Sequence, residues 1–257
     1  MDIQLHKSYK VLLMGDSCLD VYHFGTCDRI SAEAPVPIMR EKYIKTQEGM
    51  AGNVKNNLEP FGVTVDFITN EQLIKKHRYI DVKTKAHLLR VDEGEDELLP
   101  PIIQKIEKKK YDALVISDYN KGLLPFEMCR SITQDFHDVP VFVDSKKRDL
   151  GCFHKSVLKV NECEYQHSIN VCPTSEIIVT RGDKGASFKG KNFSTKKIVV
   201  HDVCGAGDVF LASLVYNFLE TRSLERAIIY ANKLASLSVT KFGTYVITTK
   251  EINEICI

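Results

Sequence analysis

Six short runs of mostly aliphatic residues, at 10–14, 63–68, 113–117, 139–144, 157–160 and 176–180, alternate with stretches of helical spacing at 52–58, 100–109, 125–137, 205–220 and 224–241. This alternation constrains the fold more than any other feature. A run such as Val11-Leu12-Leu13-Met14 suits a strand buried on both faces, and successive parallel strands need crossovers that helices supply. The expected fold is therefore α/β: a three-layer α/β/α sandwich around a mainly parallel sheet, with residues 1–257 forming one domain. Two segments break the rhythm, at about 24–48 and 76–92. They contain Val, Ile and Tyr in partial alternation, and Pro35 and Pro37 favour extended backbone. They are expected to form a small β-lid.

The chemistry is most legible in His201-Asp202-Val203-Cys204-Gly205-Ala206-Gly207-Asp208, which runs into the apolar helical stretch from Val209. The glycines let the backbone turn and approach a ligand, and the helix start presents unsatisfied N–H groups and the positive end of its dipole. Gly205, Ala206 and Gly207 thus make a seat for an anion. Asp208 falls in the first turn, where the dipole favours a carboxylate able to accept a proton. Donors beside a carboxylate suit phosphoryl transfer onto a hydroxyl. Taken alone, the same residues also describe an ordinary glycine-rich helix start.

Other motifs decide between these alternatives. Gly15-Asp16-Ser17-Cys18-Leu19-Asp20 puts two carboxylates just past a strand, where open α/β sheets bind ligands. There follow Arg29-Ile30-Ser31-Ala32-Glu33-Ala34-Pro35-Val36-Pro37, the turn Glu48-Gly49-Met50-Ala51-Gly52-Asn53, Ser117-Asp118-Tyr119-Asn120-Lys121-Gly122, Asn161-x-x-Glu164 and Thr180-Arg181-Gly182-Asp183-Lys184-Gly185. In this order, and across most of the chain, the motifs resemble those of the ribokinase-like (PfkB) carbohydrate kinases, and within them the heptose 7-phosphate kinases.

That resemblance implies an ATP- and magnesium-dependent sugar kinase. Asp208 would be the base, with Gly205, Ala206 and Gly207 on the transferring phosphate. Asp16, Asp20, Gly52 and Asn53 would hold the sugar, although Asp16 also suits a role in tying down its own turn. Arg29 and Lys121 are candidates for a phosphate already on the sugar, since an arginine fork matches phosphate oxygens. Asn161 and Glu164 would position magnesium and phosphates, Glu164 through water; a turn Asn and a surface acid are the plain alternative. Lys146 would lie by the nucleotide phosphates, or in a solvated loop, and Thr180, Gly182, Gly185 and Asn232 would line the nucleotide site. The alternatives for function are a kinase for another sugar and a non-catalytic sugar- or nucleotide-binding descendant.

The chain departs from the resemblance in places. Few residues separate Thr69 from Lys76, and little follows Tyr165, where relatives have further elements. Met50 replaces a glycine and is expected to narrow or reshape the sugar pocket, and Cys204 replaces a threonine and is expected to be a buried small residue rather than a reactive thiol. The chain ends at Ile257, so a monofunctional kinase without a fused nucleotidyltransferase is expected.

Net charge of +1 gives no basic face for nucleic acid, and no apolar run approaches the roughly 20 residues that span a bilayer. With no signal-peptide pattern at Met1-Asp2-Ile3-Gln4-Leu5-His6, the expected compartment is the cytoplasm. The eight cysteines contain no Cys-x-x-Cys pair, and Cys152, His154, Cys163, His167 and Cys172 match no zinc spacing. A lid too small to cover its own apolar face predicts a homodimer joined through it.

Overall fold

The computed structural model describes residues 8–95, 98–101, 106–196 and 198–255. β1 (Lys10–Gly15) is followed after one residue by the long hairpin β2 (Ser17–Ile30) and β3 (Pro37–Met50), then by α1 (Ala51–Leu58), β4 (Thr64–Ile68), β5 (Lys75–Asp81) and β6 (His87–Glu93). β7 (Ala113–Asp118), α2 (Phe126–Asp135), β8 (Val141–Ser145), β9 (Asp149–Leu150), β10 (Ser156–Asn161), α3 (Glu162–His167), β11 (Asn170–Val171) and β12 (Glu176–Thr180) come next. β13 (Ala186–Phe188), β14 (Lys191–Phe193), α4 (Ala206–Thr221), α5 (Leu224–Ser238) and α6 (Thr249–Ile255) complete the chain. The helix expected at 100–109 falls partly outside the described residues, and Lys108–Lys110 form a single 3-10 turn.

The main sheet has the order β14-β13-β12-β10-β8-β7-β1-β4. Its six aliphatic strands are the expected ones and all pair in parallel. The short antiparallel edge strands β13 and β14 lack a long apolar run and were not expected from the sequence. Side chains alternate between two cores, as strand geometry requires. Val11 and Leu13 of β1 face the cluster formed with α1, α4, α5 and α6, whereas Leu12 and Met14 face the cluster containing Cys129 and Ile132 of α2.

The two helical layers are unequal. Four helices cover one face, and on the other α2 shares the work with Leu98, Leu123, Leu124 and Phe153. This thinner side contains the shortened connections. Between β4 and β5 a six-residue segment does the joining: Asn70 receives the Ser17 amide at 2.7 Å and donates to the Ser17 carbonyl, while Thr69 donates to the Gly15 carbonyl at 2.8 Å. Ile74, fully buried, closes the apolar end.

The lid is larger than expected. Its order is β3-β2-β5-β6, with β2 and β5 parallel and both hairpins antiparallel. Because β2 starts at Ser17, Asp20 is a lid residue and does not belong to the loop beyond β1. Tyr22 and Phe24 face the body and pack with Phe242, and the Tyr22 hydroxyl receives the Thr244 amide at 3.1 Å. No helix among the described residues is long and apolar enough to cross a membrane.

Gly15 marks where β1 and β7 come closest to the site. A Cβ there would lie 1.9 Å from the Ser117 carbonyl oxygen. Gly15→Ala is therefore expected to force the two central strands apart and to lower stability by about 1–3 kcal/mol, read as a reduced urea midpoint with an unchanged slope.

Candidate active site

The ends of β1, β7, β8, β10 and β12, together with the start of α4, converge under the lid. Gly205 caps α4 with φ of 75°, in the left-handed region that glycine adopts freely, and its carbonyl receives the amides of Asp208 and Val209 at 3.0 Å. Gly207 faces a buried ion pair: its missing Cβ would lie 2.8 Å from Nζ of Lys159, which sits 2.6 Å from Oδ2 of Asp144. The helix start thus lies beside an ammonium; of its expected N–H donors, that of Ala206 is turned to the Val203 carbonyl at 3.3 Å, whereas those of Gly205 and Gly207 have no acceptor among the described residues.

Asp208 is 3% exposed, and both its oxygens are engaged. Oδ2 receives Nδ2 of Asn53 at 2.9 Å, and Oδ1 receives the Tyr119 hydroxyl at 2.9 Å. Asn53 is aimed by Asn57, whose amide donates to both the carbonyl and Oδ1 of Asn53. Burial is the main influence on the Asp208 carboxyl and, against the donors from Asn53 and Tyr119, pushes it up to about 6.

Asp16 is fully buried and is also pushed up to about 6, first by burial and then by the Asp118 carboxylate. Its Oδ2 receives the Tyr119 amide at 2.7 Å, and its Oδ1 has no hydrogen-bond partner among the described residues. Asp20 is 2.9 Å from Nη2 of Arg78, and its carboxyl is raised by burial against the pull of that guanidinium. Lys121 sits next to Asp16 and shares the Glu95 carboxylate with Lys76 of β5. Gly52 lies buried in the first turn of α1, beside Glu48.

Four of the seven expected nucleotide residues, Thr180, Gly182, Gly185 and Asn232, line a cavity of about 440 Å³ together with Ala206 and Gly207 and with Val203, Phe210 and Val239 as apolar walls, whereas Lys146, Asn161 and Glu164 are not in its lining. The Asn232 amide is committed to the Phe193 carbonyl at 2.8 Å. Asn161 pairs with Thr180 across β10 and β12 and caps α3 reciprocally with Glu164, two bonds of 2.8 Å. The other Glu164 oxygen holds Lys146, which also contacts Asp144 at 3.4 Å. These acids hold the Lys146 ammonium above its ordinary range despite its burial. One Glu164 oxygen carries the Asn161 N–H and the other the Lys146 ammonium, so magnesium held through water would share that second oxygen with Lys146.

Arg29 is not brought to this site. It is exposed near the tip of the hairpin, nine residues along β2 from Asp20, roughly 30 Å of strand. The extended backbone of the proline-containing segment carries it outward. The guanidinium beside Asp20 is that of Arg78, and the hydroxyl on Asp208 is that of Tyr119. Neither was given a role from sequence, although Tyr119 stands inside a quoted motif; which strand register faces the site is not written in local spacing.

Met50 has φ of 58° and ψ of −132°, backbone that glycine adopts freely and a residue with a Cβ only at a cost, and its side chain joins the cluster that contains Met14, Cys18 and Ile74. Cys204 is half-buried and not fully buried as expected; desolvation, aided by the Asp202 carboxylate, pushes its thiol up to about 12, so it is a neutral small side chain. The cysteine–histidine segment is split up: Cys172 contacts His154, Cys163 contacts His167, and Cys152 is buried apart from both. No three metal-ligating side chains come together among the described residues.

A ribokinase-like fold, a glycine-rich helix start, a buried carboxylate and an adjoining cavity thus occur together in a chain that is similar to the carbohydrate kinases of the PfkB family. The model of pfkB family carbohydrate kinases matches residues 158–251, the stretch from Asn161 through Asp208. The chain is 29% identical to the bifunctional protein HldE of Aliarcobacter butzleri over 308 aligned positions, covering 97% of this chain and 65% of that protein. To the HldE of Helicobacter pylori strain J99 it is 31% identical, covering 95% and 65%. The chain thus spans just under two thirds of these relatives, and alignments longer than its 257 residues show that they carry segments it lacks. Among solved structures it resembles ribokinase from Thermotoga maritima (TM-score 0.70, 17% identity, 96% and 99% of the two chains) and phosphofructokinase-2 from Escherichia coli (0.73, 13%, 96% and 98%). It likewise resembles Arabidopsis thaliana ribokinase complexed with ribose and ATP (0.69, 15%, 96% and 98%). At such identities the likeness concerns the fold.

A buried carboxyl raised to about 6 binds more protons in the folded than in the unfolded chain between about pH 4 and 6, so its ionisation costs stability as pH rises through that window. Asp208→Asn, whose amide can accept from Asn53 and donate to the Tyr119 oxygen, is expected to be on the order of 2 kcal/mol more stable than the parent at pH 8. The difference should vanish below about pH 4, which denaturant melts at the two pH values would measure.

Proposed function

We propose that this chain transfers the γ-phosphate of ATP to a hydroxyl of a phosphorylated sugar, with heptose 7-phosphate as the acceptor. The observation that carries the transfer is Asp208 in the first turn of α4, buried, partly desolvated and next to the Gly205–Gly207 N–H groups. In the reaction the sugar oxygen forms a bond to the γ-phosphorus, the bond from that phosphorus to the β-phosphate bridging oxygen breaks, ADP leaves, and Asp208 takes the hydroxyl proton. The helix start holds the charge that moves. The unpartnered Oδ1 of Asp16 and the carboxylate of Asp20 suit sugar hydroxyls. Arg78 and Lys121 give the acceptor side a cationic character that suits a phosphate. Magnesium, held through Glu164 and Asn161, would neutralise nucleotide phosphate charge. The heptose assignment rests on the Arg29–Pro37 motif and on the likeness to the HldE proteins.

We further propose that the protein is a cytoplasmic homodimer joined through the lid. The face of the lid turned away from Phe242 carries a row, Ile44, His23, Tyr79 and Leu89, across all four strands, with Ile44 50% and Leu89 57% exposed. Pairing two such faces would cover them.

Asp208→Asn should lose about 10²–10⁴-fold in kcat while ATP and sugar still bind by calorimetry; near-parental turnover would dismiss Asp208 as the base. In an ADP-release screen, heptose 7-phosphate should exceed free ribose, fructose and adenosine by about 10²-fold or more in kcat/KM, and the reverse order would assign the chain another acceptor. Ile44→Glu should shift the light-scattering mass at micromolar concentration from dimer toward monomer, and a parent that is already monomeric and fully active would refute the lid dimer.

A further inference from the structure

Tyr119 makes two contacts that no other residue combines. Its backbone N–H donates to Oδ2 of Asp16 at 2.7 Å, and its hydroxyl donates to Oδ1 of Asp208 at 2.9 Å. The ring lies under Nζ of Lys146, 5.5 Å from the centroid, and Lys146 is itself tied to Asp144 and Glu164. One residue, through its backbone N–H, its hydroxyl and its ring, thus connects the sugar-side carboxylate, the base and the cation on the phosphate side.

A carboxylate needs such a partner, because rotation about its terminal bond is broad and the rotamer alone does not set the plane of its oxygens. Asn53 supplies the second donor, to Oδ2, but Asn53 belongs to the turn that would also serve the sugar. The phenol has no competing role. Burial and the adjacent carboxylates push it well above its ordinary value, so it remains an O–H donor throughout the working pH range and cannot be the proton acceptor.

We infer that Tyr119 is a positioning residue for phosphoryl transfer, fixing Oδ1 of Asp208 so that Oδ2, which receives the Asn53 amide on one lone pair, presents its other lone pair to the proton of the acceptor hydroxyl. This rests on the assignment of Asp208 as the base. The donated hydrogen bond also favours the ionised carboxylate, one of the influences that hold Asp208 down against its burial. Removing it has a signature that a packing role lacks.

The experiment uses the full chain with Tyr119→Phe, which keeps the ring under Lys146, and with 3-fluorotyrosine at position 119, a stronger donor of nearly the same shape. The Asp208 carboxyl is titrated by its carbon-13 resonance, which requires no substrate. Loss of the donor should move the midpoint to higher pH, to about a tenfold lower proton concentration, and the fluorinated ring should move it to lower pH. With heptose 7-phosphate and magnesium-ATP, the single-turnover rate of Tyr119→Phe should fall by about 10–100-fold with acceptor affinity nearly unchanged. An unmoved midpoint in both proteins overturns the inference even if the rate falls, since that is the mark of packing alone. Should Tyr119→Phe fail to fold, the fluorotyrosine protein decides by itself. If Asp208→Asn retains turnover, the assignment of the base is what has failed; if that variant is inactive while the Tyr119 series leaves the midpoint in place, only Tyr119 has been misassigned.

Discussion

A carboxylate buried at the start of α4, held between an amide from α1 and a phenol from the loop after β7, is the interaction on which the rest of the site depends. Burying such a charge is costly unless donors compensate, and here they come from residues 53 and 119, far from 208 in sequence. To bring them within 2.9 Å the chain needs the central parallel sheet, with β1 and β7 in contact, α1 packed on α4, and Asn57 orienting Asn53. The helix dipole and the capping turn add local support. Compensation is incomplete, and the carboxyl remains raised to about 6, which leaves it a better base than an exposed aspartate.

The second organising element is electrostatic. Asp144 and Lys159, each 4% exposed, form a pair against Gly207, and Lys146 extends it to Glu164. Despite burial, the two lysines keep Asp144 below the usual carboxylate range. Lone buried charges here would be strongly destabilising, whereas this network is internally satisfied and leaves one ammonium next to the anion seat. The reciprocal cap of Asn161 and Glu164 fixes one oxygen of Glu164 and leaves the other to Lys146.

The shortened face of the molecule is handled by local substitutes. Asn70 and Thr69 fasten the first residues of the lid to the end of β1, and Ile74 fills the apolar space. Met50 is of the same kind. Its backbone occupies a region that costs a non-glycine residue about 1–3 kcal/mol, and its side chain is buried in the cluster on the thin side of the sheet that also contains Met14, Cys18 and Ile74.

What the sequence by itself determined is what short-range chemistry controls. The parallel strands follow from aliphatic runs that only a doubly covered sheet can bury, and the anion seat follows from Gly205 to Asp208 meeting an apolar helix. Asp16 just past β1, Asn53 in the first turn of α1, Thr180 at the end of β12 and Gly185 in the turn before β13 stand where their motifs placed them. The tertiary structure alone decided the partners. That β2 begins at Ser17 and runs 14 residues sends Arg29 to the lid tip, and the register of β2 against β5 sets Arg78 within reach of Asp20. Tyr119 reaches Asp208, and Lys159 reaches Asp144 beneath Gly207, only because distant strand ends are brought side by side. Periodicity specifies which face of a strand is apolar, but not which strand lies next to it or how far along; those depend on sheet order and register, which the whole packed chain sets.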